Sequence, residues 1–191
     1  MRTFIALSLA EHTRNQLGDL SARMAYQDKS NAIRWVDQQN FHLTLAFMGD
    51  VAGRDLDALI DELESELHSY GIDAAATGIS PFPAAKPKLI CATVEPSESL
   101  LDMQKQVHGC LLATGVDFDR RRFIPHITLG RLRHSKNTYA GWIPLGASME
   151  IEFEGVVLFE SQLAHDGARY QTLFSYPLIN PAELFDKLDE S

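Results

Sequence analysis

The sequence predicts an α+β fold in which one strand-and-helix unit is used twice. Segments of strand and helix pattern alternate along the chain, and FHLTLAFM at residues 41–48 is echoed by PHITLGRL at residues 125–132. Hydrophobic residues make up 45% of 191 positions, enough to bury a continuous core in one compact domain or two small lobes.

Residues Thr3 to Leu9 alternate loosely and predict a first strand. Glu11 to Tyr26 then sets Leu17, Leu20 and Met24 at three- to four-residue spacing, as one face of a helix requires. A short strand over Ile33 to Val36 and a polar turn over Asp37 to Asn40 lead into a strong strand, Phe41 to Met48, stopped by Gly49-Asp50. From Gly53 to Tyr70, Leu56, Leu59, Ile60, Leu63 and Leu67 share a face opposite a row of acids, which predicts an amphipathic helix.

After Gly71 the pattern restarts. A strand over Ile72 to Ile79, a proline-punctuated loop Pro81 to Pro87 and an apolar strand Lys88 to Val94 precede a helix, Ser97 to Thr114. The buried side of that helix is Leu100, Leu101, Met103, Val107, Leu111 and Leu112. Ile124 to Leu132 is the next strand, followed by Met149 to Phe159 and Arg169 to Pro177, with a short acidic, helical tail beyond Pro181. Each half thus supplies strands, a helix and one strand of the form His-apolar-Thr-Leu, an internal duplication in element order.

A formal charge of −9 excludes a general nucleic-acid coat, which depends on many Lys and Arg neutralising phosphates, so any RNA contact must be local. Cys91 and Cys110 have no CxxC or Cys/His ligand spacing and read as reduced, buried thiols. The opening MRTFIALSLAEH has one Arg, a short apolar run and no small-residue cleavage site, so it reads as a strand rather than a signal peptide. No stretch approaches the roughly 18 uninterrupted apolar residues of a membrane span, and a cytoplasmic protein is expected.

In a strand, residues i and i+2 share a face, so His42 projects with Thr44 while Leu43 and Leu45 turn the other way. The same holds for His126 and Thr128 against Ile127 and Leu129. Each unit sets an imidazole beside a hydroxyl on one face and anchors the opposite face in a core. The hydroxyl can donate to a phosphoryl oxygen while the imidazole moves a proton. Two such units across a cleft would supply a neutral histidine to take a proton from water and a protonated one to give a proton to a departing ribose oxygen. With seven His and nine Thr, about 0.3 His-x-Thr triplets are expected by chance, so one copy is weak evidence and two in matching strands are not. The scheme needs no metal and no cofactor.

The residues His42-Leu43-Thr44-Leu45 and His126-Ile127-Thr128-Leu129 resemble the paired HxTx motifs of the 2H phosphoesterase superfamily. The RTFIALSL, FHLTLAFMGD and PHITLGRL blocks resemble its RNA 2′,3′-cyclic phosphodiesterase branch, once described as 2′-5′ RNA ligases, over roughly residues 2 to 178. The resemblance implies a bilobal α+β fold with pseudo-twofold duplication, two antiparallel sheets lining a V-shaped cleft and helices packed outside. It forms a single domain over residues 1–191, of which 178–191 are the acidic tail. It also implies His42 as proton donor to the 3′ oxygen and His126 as proton acceptor from water, leaving a 2′-phosphate. Thr44 and Thr128 would hold non-bridging oxygens, and Arg131 would support the charge of the transition state.

Strict alternation sends Arg131 to the face away from His126, and a bulge at Gly130 would bring it back. The cluster Arg120-Arg121-Arg122-Phe123 offers a local basic and aromatic patch, with Arg122 and Phe123 as candidate RNA or base contacts. Arg169-Tyr170 resembles a cleft-edge position, with Tyr170 a further candidate. His12, His68, His108, His134 and His165 lack partners at ligand spacing, and no GxxxxGK[ST] loop supports an ATP-dependent ligase. The expected partner is an RNA or oligonucleotide end, or a small cyclic nucleotide such as ADP-ribose 1″,2″-cyclic phosphate, bound by a monomer with no obligatory protein partner and no membrane. A non-catalytic module that grips RNA ends stays open at this level.

Overall fold

The computed structural model describes residues 2–68, 71–133, 145, 147–164 and 167–179. His134, His165 and the tail from Pro181 lie outside them, while the second expected helix, drawn to Tyr70, ends at Glu66, where Leu67 is already extended. Strands β1 (Arg2–Leu9), β2 (Ile33–Trp35), β3 (His42–Asp50), β4 (Ala75–Phe82), β5 (Leu89–Val94), β6 (His126–Leu132), β7 (Met149–Glu150), β8 (Phe153–Ala164) and β9 (Gly167–Pro177) are joined by α1 (Glu11–Gln27), α2 (Gly53–Glu66) and α3 (Glu98–Ala113).

The strands run in the order β7-β4-β5-β6-β3-β1-β8-β9, every pairing antiparallel, with β2 added to β6. The two expected sheets are the halves of this curled sheet, β7-β4-β5-β6 and β3-β1-β8-β9. They join at one residue pair, Leu43 opposite Ile127. A pseudo-twofold axis through that pair relates β3 to β6, β1 to β5 and β8 to β4. The repeated unit is therefore β1-α1-β3 and β5-α3-β6. The two halves of the sequence do not each form one half of the sheet: β8 and β9 pair beside β1, while β2, from early in the chain, pairs with β6.

Leu43, Leu45, Ile127 and Leu129 are almost fully buried, in one core with Leu56, Leu59 and Leu63 of α2 and Leu100, Met103 and Val107 of α3. Leu20 and Met24 of α1 pack with Ile33 and Ile90 in a second cluster. Burying each such side chain contributes about 1.5–3 kcal/mol. The Ser97 hydroxyl caps α3 by accepting from the Leu100 N–H. At its other end Gly115, at φ +70, takes the left-handed conformation that lets Val116 N–H close back on the Leu111 carbonyl. No helix among the described residues is long and apolar enough to cross a membrane.

Of the expected boundaries that move, two do so for a direct physical reason. β4 runs through Pro81 and Phe82 into the expected loop, because β7 pairs only with Ala75 and Ala76 and leaves the proline on an open strand edge. The expected strand Met149 to Phe159 divides at Ile151 and Glu152. Its first residues pair with β4 at one end of the sheet and the rest with β1 in the other half.

Candidate active site

β3 and β6 show the same burial sequence from their histidines onward. His is partly exposed, Leu43 or Ile127 buried, Thr partly exposed, Leu45 or Leu129 buried, Ala46 or Gly130 buried, and Phe47 or Arg131 exposed. In both strands the ladder slips after the threonine. Ala6 faces Thr44 and Ile5 faces Ala46, leaving Leu45 as the extra residue; Cys91 faces Thr128 and Ile90 faces Gly130, leaving Leu129. The bulge inferred from Gly130 therefore exists one residue earlier, at Leu129, and turns Arg131 to the face that carries His126. Gly130 has a different task. A Cβ there would lie 2.5 Å from Ile33 Cγ2, so only glycine lets β2 lie this close to β6.

His42, Thr44, His126, Thr128 and Arg131 all line one cavity of about 570 Å³. The antiparallel register at Leu43–Ile127 brings His42 to the level of Thr128 and His126 to the level of Thr44. The two imidazoles are held alike. His42 Nδ1 lies 2.7 Å from the Asn40 carbonyl oxygen and His126 Nδ1 lies 2.7 Å from that of Ile124. A carbonyl only accepts, so each Nδ1 donates, and in the neutral ring the lone pair sits on Nε2. Phe4 and Tyr170 flank His42 at 5.0 and 5.2 Å between ring centroids, Tyr170 edge-on. Phe82 stacks on His126 at 4.5 Å.

Burial first, and then the charges of Arg131 and His126, lower the His42 pKa to about 4 against the opposing effect of the Asn40 carbonyl. His42 is thus neutral near pH 7 in the unliganded protein. A histidine at 6.5 in the unfolded chain binds a proton that the folded chain refuses, so this site's stability is fully present above pH 6.5 and falls as pH drops toward about 4. Up to roughly 3 kcal/mol is at stake. Urea midpoints measured between pH 7.5 and 4.5 should fall less steeply for His42→Gln than for the parent chain; parallel curves would show that His42 is not held neutral.

Cys91 lies beneath Thr128, its Sγ 3.9 Å from the hydroxyl oxygen, and burial pushes its thiol up to about 12. Cys110, raised to about 11 by burial and then by Glu62 and Glu66, is also free. Both are the buried thiols their spacing suggested.

The other candidates divide. Tyr170 lines the cavity. Phe123 packs against the core and Arg122 is exposed, and neither is among the residues that line the cavity. The arginine of that triplet that lines the cavity is Arg121, drawn back by Asp119, which accepts from both its backbone and its guanidinium. Sequence reasoning missed Phe82, read as loop, as well as Arg34 and the carbonyl of Asn40. A shared signal was available for the last: both histidines need an acceptor two residues upstream. His12, His68 and His108 do not line the cavity.

In this acidic chain the cavity wall carries, among the described residues, Arg2, Arg34, Arg121 and Arg131 against a single carboxylate, Asp119. Two proton-transfer groups, two hydroxyls and a locally positive wall suit an anionic, phosphate-like substrate.

Comparison with known proteins identifies the fold and the family. A family model described as LigT like Phosphoesterase matches residues 7–91 and 93–170. A protein of Thermotoga maritima named RNA 2′,3′-cyclic phosphodiesterase is 24% identical over 178 residues, covering 91% of this chain and 94% of its own. One of the same name from Methanocaldococcus jannaschii is 23% identical over 178 residues, covering 91% and 98%. The crystal structure of TT0787 of Thermus thermophilus shares the fold at a TM-score of 0.76, with 23% identity over 93% of this chain and 98% of the other. The structure of E. coli LigT complexed with 3′-AMP does so at 0.73, with 23% identity over 94% and 98%. With the family model matching both repeats and both histidine strands, the chain belongs to the LigT-like phosphoesterase family.

Proposed function

We propose that this enzyme opens the 2′,3′-cyclic phosphate at an RNA end to a 2′-phosphate, using His42 and His126 as its proton-transfer pair and no metal. The observation that carries the reading is the twofold-related pair of His/Thr strands on one basic cavity, each imidazole pinned through Nδ1. Relatives that cover most of the chain and are named RNA 2′,3′-cyclic phosphodiesterase support it.

In this mechanism water attacks phosphorus in line with the P–O3′ bond. One imidazole takes the water proton as the new P–O bond forms, and the other protonates O3′ as its bond to phosphorus breaks. Thr44, Thr128 and Arg131 hold the non-bridging oxygens, on which negative charge accumulates. His126 is the acceptor and His42 the donor. Because His42 is neutral in the unliganded protein near pH 7, the donor role requires it to take up a proton as the anion binds and offsets Arg131. Calorimetric titration with sulfate, which does not itself titrate near pH 6, in buffers of different ionisation enthalpy reads that uptake. Up to one proton is expected, lost in His42→Gln; no uptake would reassign His42 as acceptor.

Comparing cyclic-ended RNA with ADP-ribose 1″,2″-cyclic phosphate and with mononucleotides, chelator present throughout, tests the substrate class. Faster opening of the RNA end supports the reading. Opening of the small nucleotides alone, or tight binding of RNA ends without turnover, would replace it.

A further inference from the structure

The cleft does not stop at Arg131. It continues into a pocket of about 340 Å³ whose walls include Arg34, Trp35, Asn40, Arg131, Arg169 and Tyr170. Arg34, Arg131 and Tyr170 also border the cavity that holds the histidines, so the two spaces are continuous. In the β2–β6 ladder Arg34 stands directly opposite Arg131. Residues so paired have Cβ atoms about 4.5–5.5 Å apart on one face, and like charges there destabilise the sheet.

That cost is retained in a chain with 26 acidic against 17 basic residues. Neighbouring arginines have acidic company: Arg121 pairs with Asp119, and Arg133 acts on Asp28. Arg34 and Arg131 make no ion pair among the described residues. Asp37, the acid on the pocket wall, already accepts from the Gln39 N–H. Among the described residues the pocket wall thus carries three arginines, Arg34, Arg131 and Arg169, against one carboxylate, Asp37, a net positive site for an anion, and the reacting phosphate accounts for only one of the paired guanidinium groups.

We propose that Arg34 binds a second phosphate, the one on O5′ of the terminal nucleoside that links the last two nucleotides of the RNA. The proposal rests on the phosphodiesterase reading. A strand spacing of about 4.8 Å plus the reach of two long side chains offsets this site from the reacting phosphate, as the two sides of one ribose require. It also explains how an acidic protein grips RNA: the contact is confined to the last two phosphates.

The test is Arg34→Gln on three substrates: adenosine 2′,3′-cyclic phosphate, its 5′-phosphorylated form, and the dinucleotide ApA ending in a 2′,3′-cyclic phosphate. A charge-assisted phosphate contact corresponds to about 10–100-fold. The parent chain should therefore favour the two-phosphate substrates. The variant should lose at least tenfold more kcat/KM on those two than on the one-phosphate substrate, and melt no lower, since a like-charge pair has been relieved. Equal losses on all three, or no loss, overturn the proposal; a loss confined to the 5′-phosphorylated mononucleotide overturns its assignment to the RNA linkage. Calorimetry of adenosine 3′,5′-bisphosphate against 3′-AMP reads the same site without turnover. A preference for the bisphosphate that vanishes in the variant upholds the second site even if no cyclic phosphate is opened, an outcome that would reject the phosphodiesterase reading alone.

Discussion

Replacing His42 or His126 by alanine should lower the rate of cyclic-phosphate opening by about 10²–10⁴-fold, the contribution typical of a positioned proton-transfer group. Both rings line the cavity and are only partly buried, so urea midpoints at neutral pH should change little. The double variant should be far less impaired than the product of the two single losses, because without one transfer partner the other has little left to contribute. Steady-state rates of the three variants beside the parent enzyme test this. Independent, multiplicative losses would mean that the histidines serve separate steps or separate sites.

A second large effect is expected from a residue that never meets substrate. Leu43 and Ile127 are fully buried and form the one pair that joins the two halves of the sheet, each immediately following one of the two cavity histidines. Leu43→Ala should cost about 2–5 kcal/mol in urea unfolding, from lost burial and the cavity left behind. It should also lower kcat under conditions where the variant is folded, because a void at the joint loosens the register between the histidines. Leu59→Ala, in the α2 face of the same core and equally buried, is the control. It should lose comparable stability while keeping its kcat; equal loss of kcat in both would deny the joint any positioning role.

The histidine strands were legible because an alternating strand declares its faces locally. His42 with Thr44, and His126 with Thr128, need no distant information to be placed together. Arg131, named by the resemblance, stood in conflict with that alternation, and the resolution lay at Leu129 rather than Gly130, since the glycine is required by the close approach of β2. What stayed hidden depends on pairing between distant segments. Nothing local to Ile33–Trp35 says that it lies against β6, so the Arg34–Arg131 pair could not be read. The run from Met149 reads as one strand, although it serves both halves of the sheet. Phe82 was lost among prolines, yet β4 carries it to the face of His126. In the arginine triplet the choice of Arg121 over Arg122 is made by Asp119, a turn contact that composition does not reveal.

That two histidines act on one phosphate is tested most directly with RNA bearing a 2′,3′-cyclic end, incubated in ¹⁸O-labelled water with chelator and followed by phosphorus NMR and mass spectrometry of the terminal nucleotide. Ring opening to a 2′-phosphate carrying one solvent oxygen is expected with the parent enzyme, and almost none with His42→Ala or His126→Ala. A ring left closed by the parent enzyme, or opened as fast by either variant, would contradict the two-histidine mechanism.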